Sequence, residues 1–255
     1  MVPSCRAYAH IAAPTAPADV EIFVAVDQTT PFDAKLKQQI ADNIRPFLAP
    51  GKAFTIFEFS AFVQGHYVNV LSSGLIEPPL SVESRNDIPK QSLSKFDQCM
   101  ALAPKHATVA VGKALKSVFE SSSSDISKSD IVGSLKEIAG RVKQSSAKDK
   151  IVFLASDMLE NSSISSFYAK NGVRKIDPEQ EMKIMASNQM FADFGGARVF
   201  VLGAGLIQED KAGTKGVYRD PKTIASLESF WRKWFAKSNA NLVEFGSPAL
   251  VAPIR

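Results

Sequence analysis

Short, almost continuous apolar runs recur along the chain, and each of them predicts a buried β-strand. The runs are rich in Val, Ile and Phe and occupy residues 20–27, 53–62, 150–157 and 197–205. A strand that is exposed on one face alternates apolar and polar residues, whereas a strand that is buried on both faces is apolar almost throughout. These runs follow the second pattern. A weaker run at 240–246 predicts a last strand. Residues 65–74 alternate and end in Gly, which predicts an antiparallel edge strand hairpinned to the strand before it.

Segments with helical periodicity lie between these runs, at residues 31–48, 106–122, 129–146, 177–195 and 220–240. Two of them begin with Asp-Pro, at Asp177 and Asp220, where the Asp caps the helix and the Pro fits its first turn. The alternation of strands and helices predicts the α/β class, as a Rossmann-like three-layer sandwich around a mostly parallel central sheet with one antiparallel edge strand. Such sheets bind ligands at the carboxyl ends of their strands.

The chain divides into an N-terminal segment and a single domain. Residues 1–18 are rich in Ala and Pro and are predicted to be extended. Residues 19–255 show no internal repeat and no linker, and a chain of 255 residues that is 45% hydrophobic can bury one large core. Two stretches without periodicity, 76–93 and 121–129, are predicted to be surface loops.

The charges of the chain are mixed and scattered. There are 30 basic and 26 acidic residues, with a formal net charge of +4. The basic residues lie on amphipathic segments, where solvated helix faces explain them better than a phosphate-binding surface does, so the sequence argues against nucleic acid as a partner. No run of 18 apolar residues occurs, so no transmembrane segment is predicted.

Cys5 supports two different expectations. It ends the motif "VPSC", which resembles a lipobox, but neither a charged region nor an apolar region precedes it. Either the reading frame extends upstream or the pattern is accidental. The first case implies a lipid anchor at Cys5 and an extracytoplasmic, envelope-associated location. A Cys5–Cys99 disulfide can form in an oxidising compartment; otherwise Cys99 is expected to be a small buried hydrophobe in a helix.

Carboxylates follow two of the predicted strands at the point where each strand ends. Asp27 ends the first run and Asp157 ends the run at 150–157. If these strands are neighbours, both acids lie in one crevice, and close carboxylates require a cation, a shared proton or distance. Hard oxygens that could complete a shell for Mg²⁺ are the hydroxyls of Thr29, Thr30, Ser129 and Ser156.

These loops resemble those of a von Willebrand factor A (VWA) domain. The shared features are a strand ending Asp-x-Ser/Thr, a hydroxyl before the helix "SDIVGSLKEI", and a strand ending Ser-Asp, and the likeness covers roughly residues 20–246. In that family the three loops form a metal-ion-dependent adhesion site (MIDAS), where a partner's carboxylate completes the coordination. The resemblance therefore implies a non-enzymatic protein-binding module, with an Mg²⁺ ion held directly or through water by Asp27, Thr29, Ser129 and Asp157.

The sequence also departs from the family pattern. Pro31 stands where a second hydroxyl is expected, Met158 stands where a Gly usually follows the third-loop Asp, and an insertion occupies roughly residues 76–124. Without a metal, the same first loop can be explained as a helix start, with Thr30 as the capping residue, Pro31 in the first turn and Asp33 after it.

Two alternative functions use the same crevice. One is an Mg²⁺-dependent hydrolase of phosphate esters, since "VAVDQTT" is similar to the nucleophilic loop of haloacid-dehalogenase-type phosphatases. Thr29 then occupies the place of the second carboxylate that serves as general acid, which argues against this function. The other alternative is a structural subunit whose metal site is dead.

Four residues are predicted to contact a protein partner. Glu160 and Asn161 follow a buried strand in a polar stretch, which can be explained either as the rim of the crevice or as an ordinary capped loop. Trp231 and Trp234 form a stripe at helical spacing. Most such stripes pack into a core, but two neighbouring tryptophans also suit a partner-binding face.

Overall fold

A computed structural model describes residues 2–12, 16–30, 32–63, 66–121, 129–169, 172–206 and 220–255. The strands are β1 Val20–Asp27, β2 Lys52–Val63, β3 His66–Ile76, β4 Asp149–Ala155, β5 Tyr168–Ala169, β6 Gly172–Val173, β7 Ala197–Leu202 and β8 Ala240–Gly246. The helices are α1 Cys5–Tyr8, α2 Ala34–Ile44, α3 Val82–Asn86, α4 Lys90–Ser121, α5 Ile131–Gln144, α6 Pro178–Ser187 and α7 Pro221–Lys237, with a short 3₁₀ turn at Arg45–Phe47.

The central sheet has the strand order β3-β2-β1-β4-β7-β8. All neighbouring strands in it are parallel except β2 and β3, which pair antiparallel at one edge. β1 lies inside the sheet, where Val24 pairs with Ile56 on one side and Phe153 on the other. This confirms the predicted fold class and the predicted edge hairpin.

Both faces of the sheet are covered by helices, which explains why the strands read as continuous apolar runs. Val24 and Val26 pack on one face with Ile40 of α2 and buried residues of α4. Phe23 and Ala25 point to the opposite face, which packs against α5 and α7. Because successive strand residues point to opposite sides, a strand covered on both sides has no polar face.

The helix starts at Asp177 and Asp220 are confirmed. Each Asp side chain accepts hydrogen bonds from backbone N–H groups of the following turn. The predicted loop at 76–93 is wrong in part, because it contains α3 and the beginning of α4. Ser81 caps α3 by accepting from the N–H of Ser84, and α4 continues through Pro104. The prolines in this stretch interrupt the helical pattern of apolar residues, so the pattern did not predict these helices. Most of the loop predicted at 121–129 lies outside the described residues.

The N-terminal segment differs from the extended form predicted for it. Residues Cys5–Tyr8 form one helical turn capped by Ser4, and a Cys5–Cys99 disulfide fastens this turn to α4 with a Cα–Cα distance of 5.4 Å. Buried Glu77 accepts hydrogen bonds from Ser4 Oγ at 2.6 Å and from the N–H of Arg6 at 2.9 Å. A sulfur bonded to Cys99 has no valence left for a lipid, so the predicted lipid anchor at Cys5 is wrong for this structure.

No helix within the described ranges is both long enough and apolar enough to cross a membrane.

Candidate functional site at the carboxyl edge of the sheet

The two predicted acidic residues leave the sheet side by side. β1 pairs with β4 up to Val26 and Ala155, so Asp27 lies beside the Ser156–Asp157 turn. Both carboxylates are buried, with Asp27 0% and Asp157 3% exposed. The juxtaposition predicted from the strand ends is therefore present in the structure.

Asp27 accepts hydrogen bonds at both of its carboxylate oxygens. Its Oδ1 accepts from the N–H of Thr29 at 2.9 Å and from Thr29 Oγ1 at 2.6 Å, and its Oδ2 accepts from Ser156 Oγ at 2.8 Å. A hydroxyl that donates its proton keeps lone pairs that can still coordinate a cation. Thr29 Oγ1 therefore keeps lone pairs for a cation, whereas Ser156 Oγ already uses one of its own to accept from the N–H of Met158 at 3.0 Å.

Thr30 does not cap helix α2. Its Oγ1 accepts a hydrogen bond from the backbone N–H of Asp157 at 3.0 Å, and the residue is 1% exposed. The cap is Asp33, whose Oδ1 accepts from the N–H of Leu36 at 2.8 Å. The metal-free explanation of this loop placed the helix start three residues too early, because Asp33 is itself a good cap. Pro31 lies outside the described residues.

Asp157 has a partner that the sequence did not indicate. Its Oδ1 accepts from the N–H of Leu159 at 2.8 Å, and its Oδ2 accepts from the phenol of Tyr168 at 3.2 Å. Tyr168 ends the polar stretch that follows β4, and no spacing rule connects it with Asp157.

The two carboxylates have no cationic partner among the described residues, since every ion pair found there involves other acids. Burial raises the pKa of Asp27, although its hydrogen bonds oppose this effect. Burial also raises the pKa of Asp157 well above its usual value, and the charge of Asp27 raises it further. Two such groups are stabilised by a proton or by a bound cation.

Ser129 precedes Asp130, the capping residue of α5, and stands at the position that the VWA resemblance assigns to the second loop. It is 3% exposed, and its Oγ has no hydrogen-bond partner among the described residues. Its carbonyl accepts from the N–H of Asn161 at 2.9 Å, which fastens the start of α5 to the segment after β4. A buried hydroxyl without a partner is rare and suits a ligand position.

Glu160 is buried and does not lie on the crevice rim. It is 1% exposed; its Oε2 accepts from the N–H of Val132 at 2.9 Å and its Oε1 has no partner within the described part of the chain. Burial raises the pKa of Glu160 to about 8. The prediction that Glu160 contacts a partner is therefore wrong. Asn161 is half-buried, at a bridge with Ser166.

Trp231 and Trp234 were also predicted to contact a partner, and this prediction is wrong because both are 0% exposed. Trp231 Nε1 donates to the carbonyl of Met158 at 2.9 Å, and Trp234 Nε1 donates to the carbonyl of Met190 at 3.0 Å. A helical stripe has the same spacing whether it faces a core or a partner, and here it faces the core.

Met158 keeps the backbone conformation that a Gly would favour. Its φ is +59°, in the left-handed region, and its side chain is 0% exposed. Left-handed backbone costs a non-Gly residue of order 1 kcal/mol or more, which the surrounding contacts must offset. The hydrogen bond from Trp231 and the burial of the Met158 side chain supply such contacts. These contacts let a Met occupy the left-handed position in the turn after Asp157.

The donor set restricts which metal could bind here. Within the described residues, no group of three or more His, Cys, Asp or Glu side chains could hold a metal ion. A cation at this edge would therefore depend on hydroxyl oxygens and water in addition to the two carboxylates. Mg²⁺ accepts such a mixed shell of hard oxygens and commonly keeps several waters. The residues present fit that ion.

No family model and no curated protein matches the chain. An aerotolerance-related membrane protein from Bacteroides fragilis is similar in structure at 12% identity, with a TM-score of 0.36, covering 89% of this chain and 91% of that one. The PilB minor pilin from Streptococcus sanguinis is 10% identical, with a TM-score of 0.48 and coverages of 92% and 59%. The human COPII-coat protein Sec24c is 9% identical, with a TM-score of 0.35 and coverages of 91% and 30%. All three TM-scores are below 0.5, so these likenesses support no functional conclusion.

Proposed function

We propose that this chain is a non-enzymatic protein-binding module of the VWA type, which docks a partner at the carboxyl edge of its sheet through an Mg²⁺ ion. One observation carries the proposal. Asp27 and Asp157 are buried side by side at the ends of β1 and β4, and no cationic side chain among the described residues neutralises them. Burying two like charges is costly, so such a pair is usually kept for a function.

The ion would be held by Asp27, Thr29, Ser129 and Asp157, directly or through water. The hydroxyl of Thr29 already points at the Asp27 carboxylate, and the buried hydroxyl of Ser129 has no partner within the described chain. When bound, Mg²⁺ would supply a positive charge that attracts an acidic side chain of the partner. The chain's own residues would fix the position of that charge at the sheet edge.

The disulfide supports an extracytoplasmic location for this module. Disulfides persist in oxidising compartments and are rare in the cytosol. The Cys5–Cys99 bond closes a loop with a sequence separation of 94 residues. An envelope-associated protein would have the redox environment that this bond needs, without any requirement for a lipid on Cys5.

The experiment is thermal unfolding of the full chain in EDTA and then with excess Mg²⁺ or Mn²⁺. A ligand that binds only the folded state must raise the unfolding midpoint. We expect a rise for the native chain and none for Asp27→Asn or Asp157→Asn. Glu160→Gln is the control, because it changes a buried carboxyl group outside the proposed ligand set and should keep the rise. An unchanged midpoint for the native chain would contradict metal binding.

Docking is tested with an immobilised array of acidic peptides and the same peptides with Asp and Glu replaced by Asn and Gln. We expect the acidic peptides to retain the chain in Mg²⁺, and neither set to retain it in EDTA. Equal retention by both sets would contradict recognition of a carboxylate.

A metal-free structural subunit is the second candidate, and the hydrogen bonding of the site favours it. The oxygens of Asp27 and Asp157 already accept from Thr29, Ser156, Leu159 and Tyr168. Peptide retention that persists in EDTA would support this candidate. The phosphate-ester hydrolase stays a prediction, which turnover of a generic phosphate ester that disappears in Asp27→Asn would support.

A further inference from the structure

A short segment after β4 carries Tyr168 onto the proposed site. Phe167 is 0% exposed and packs edge-on against Phe230 and Trp231, with ring centroids 5.1 Å and 6.3 Å away. Successive residues of an extended chain point to opposite sides, so burial of Phe167 turns Tyr168 outward. Tyr168 is 38% exposed and places its hydroxyl on Asp157.

This segment is held in place by polar contacts as well. Arg174 Nε donates to the carbonyl of Ser166 at 2.6 Å, and its guanidinium pairs with Glu181, which is 3% exposed. Ser165 Oγ donates to Glu181 at 2.7 Å, and the N–H of Phe167 donates to the carbonyl of Glu160 at 2.8 Å. Apolar packing of Phe167 and these polar contacts together fix the position of Tyr168.

We propose that the Tyr168 hydroxyl gates the site by competing with the cation for Asp157 Oδ2. This inference rests on the proposed metal-dependent function. The phenol donates to the same oxygen that a cation at the sheet edge would use, so it occupies one lone pair of that oxygen and holds the hydroxyl where the ion would approach. At 3.2 Å this is a long and therefore weak O–H···O bond, so the need to displace it lowers the apparent affinity for the ion by a small factor. A partner that displaces the β5–β6 pair would raise that affinity again.

The hydroxyl, and not the ring, carries this role. A Phe at position 168 keeps the packing of the ring and removes only the atom that contacts Asp157. If the hydroxyl served only to fasten β5, its removal would lower the stability of the chain and leave cation affinity unchanged. The two roles are therefore separable by measuring both quantities on one variant.

The experiment is titration calorimetry of the metal-free full chain with MgCl₂ and with MnCl₂. The variants are Tyr168→Phe and, as the matched control, Tyr8→Phe, which makes the same change at a tyrosine of α1 that is 58% exposed. We expect the cation to bind roughly threefold more tightly to Tyr168→Phe, the low end of the effect of removing one hydrogen bond, because this bond is long. Tyr8→Phe should bind like the native chain.

An ultraviolet difference spectrum gives the second readout. Adding Mg²⁺ to the native chain or to Tyr8→Phe should perturb a tyrosine band as the phenol leaves Asp157, and the band should not change in Tyr168→Phe. Binding by Tyr168→Phe alone would support the gate in its strongest form.

Other outcomes overturn the inference. Equal affinity in the native chain and in Tyr168→Phe would remove the gate and leave metal-dependent docking intact. Weaker binding by Tyr168→Phe would show that the phenol positions Asp157 for the ion, which is the opposite role. If no variant binds the cation, the gate and the metal-dependent function both fail.

Discussion

The backbone N–H of Asp157 donates to Thr30 Oγ1 at 3.0 Å, across 127 residues of sequence. This bond joins the loop after β1 to the turn after β4, and it makes the two halves of the candidate site one unit. The Thr30 side chain is therefore held by the turn after β4. It does not cap helix α2, whose cap is Asp33. The hydroxyl of Ser156 adds a second link by donating to Asp27 Oδ2.

Replacing Thr30 with Val should leave the buried N–H of Asp157 without a partner. The free energy of unfolding should fall by about 1–3 kcal/mol, the usual cost of a buried donor that loses its acceptor. Urea denaturation measures the change. Thr30→Ser keeps the hydroxyl and is expected to stay within about 1 kcal/mol of the native chain. A loss of stability in Thr30→Ser with none in Thr30→Val would show that the methyl group matters and the hydrogen bond does not.

The parts of the fold that the sequence predicts depend on local patterns. Continuous apolar runs indicate strands covered on both faces, and their ends place Asp27 and Asp157 at one edge. Thr30 and Tyr168 could not be placed in this way, because their partners depend on how distant segments pack. The spacing between Trp231 and Trp234 is the same whether their helix face is buried or exposed, so the sequence could not decide between the two. The prolines that precede α4 made its start unpredictable from the pattern. Pro104 lies within α4 and does not end it.

Glu160 should make stability depend on pH. Its pKa rises from 4.5 in the unfolded chain to about 8 in the folded one, because it is buried. The folded state therefore holds this proton more strongly, so its contribution is fully present below pH 4.5 and is lost as the pH rises towards 8. Glu160→Gln is neutral at every pH and should show a flatter curve of unfolding free energy across this window.

The matched control for this prediction is Glu137→Gln, at an exposed glutamate of α5. It should keep the slope of the native chain. The difference in slope between the two variants should integrate to several kcal/mol, since each pKa unit corresponds to about 1.4 kcal/mol. Parallel curves for the native chain and for Glu160→Gln would contradict a proton held on Glu160.

Trp231→Phe should affect the site as well as the stability, whereas Trp234→Phe should affect only the stability. Each change removes an indole N–H that donates to a buried carbonyl, and each should cost about 1–3 kcal/mol. Only Trp231 contacts the carbonyl of Met158, the left-handed residue next to Asp157. Calorimetric titration with Mn²⁺ should therefore show weaker binding by Trp231→Phe alone. Equal affinities for the two variants would mean that the turn at Met158 is held without this bond.

Reduction of the Cys5–Cys99 disulfide should release the N-terminal helix α1 from α4 without unfolding the central sheet. In the chain-entropy model, a bond that closes a loop of this length stabilises the folded state by about 4–5 kcal/mol, as an upper estimate. The double variant Cys5→Ala, Cys99→Ala should therefore unfold at a lower temperature than the oxidised chain. Limited proteolysis should cut it first within residues 1–18.

Glu77→Gln is the comparison that weakens the same docking while it keeps the disulfide, since Glu77 accepts from Ser4 and Arg6. It should cost less stability than loss of the bond and leave the segment resistant to proteolysis. Intact-mass measurement under non-reducing conditions should show no free thiol in the native chain, and two free thiols there would contradict the disulfide and the oxidising compartment together.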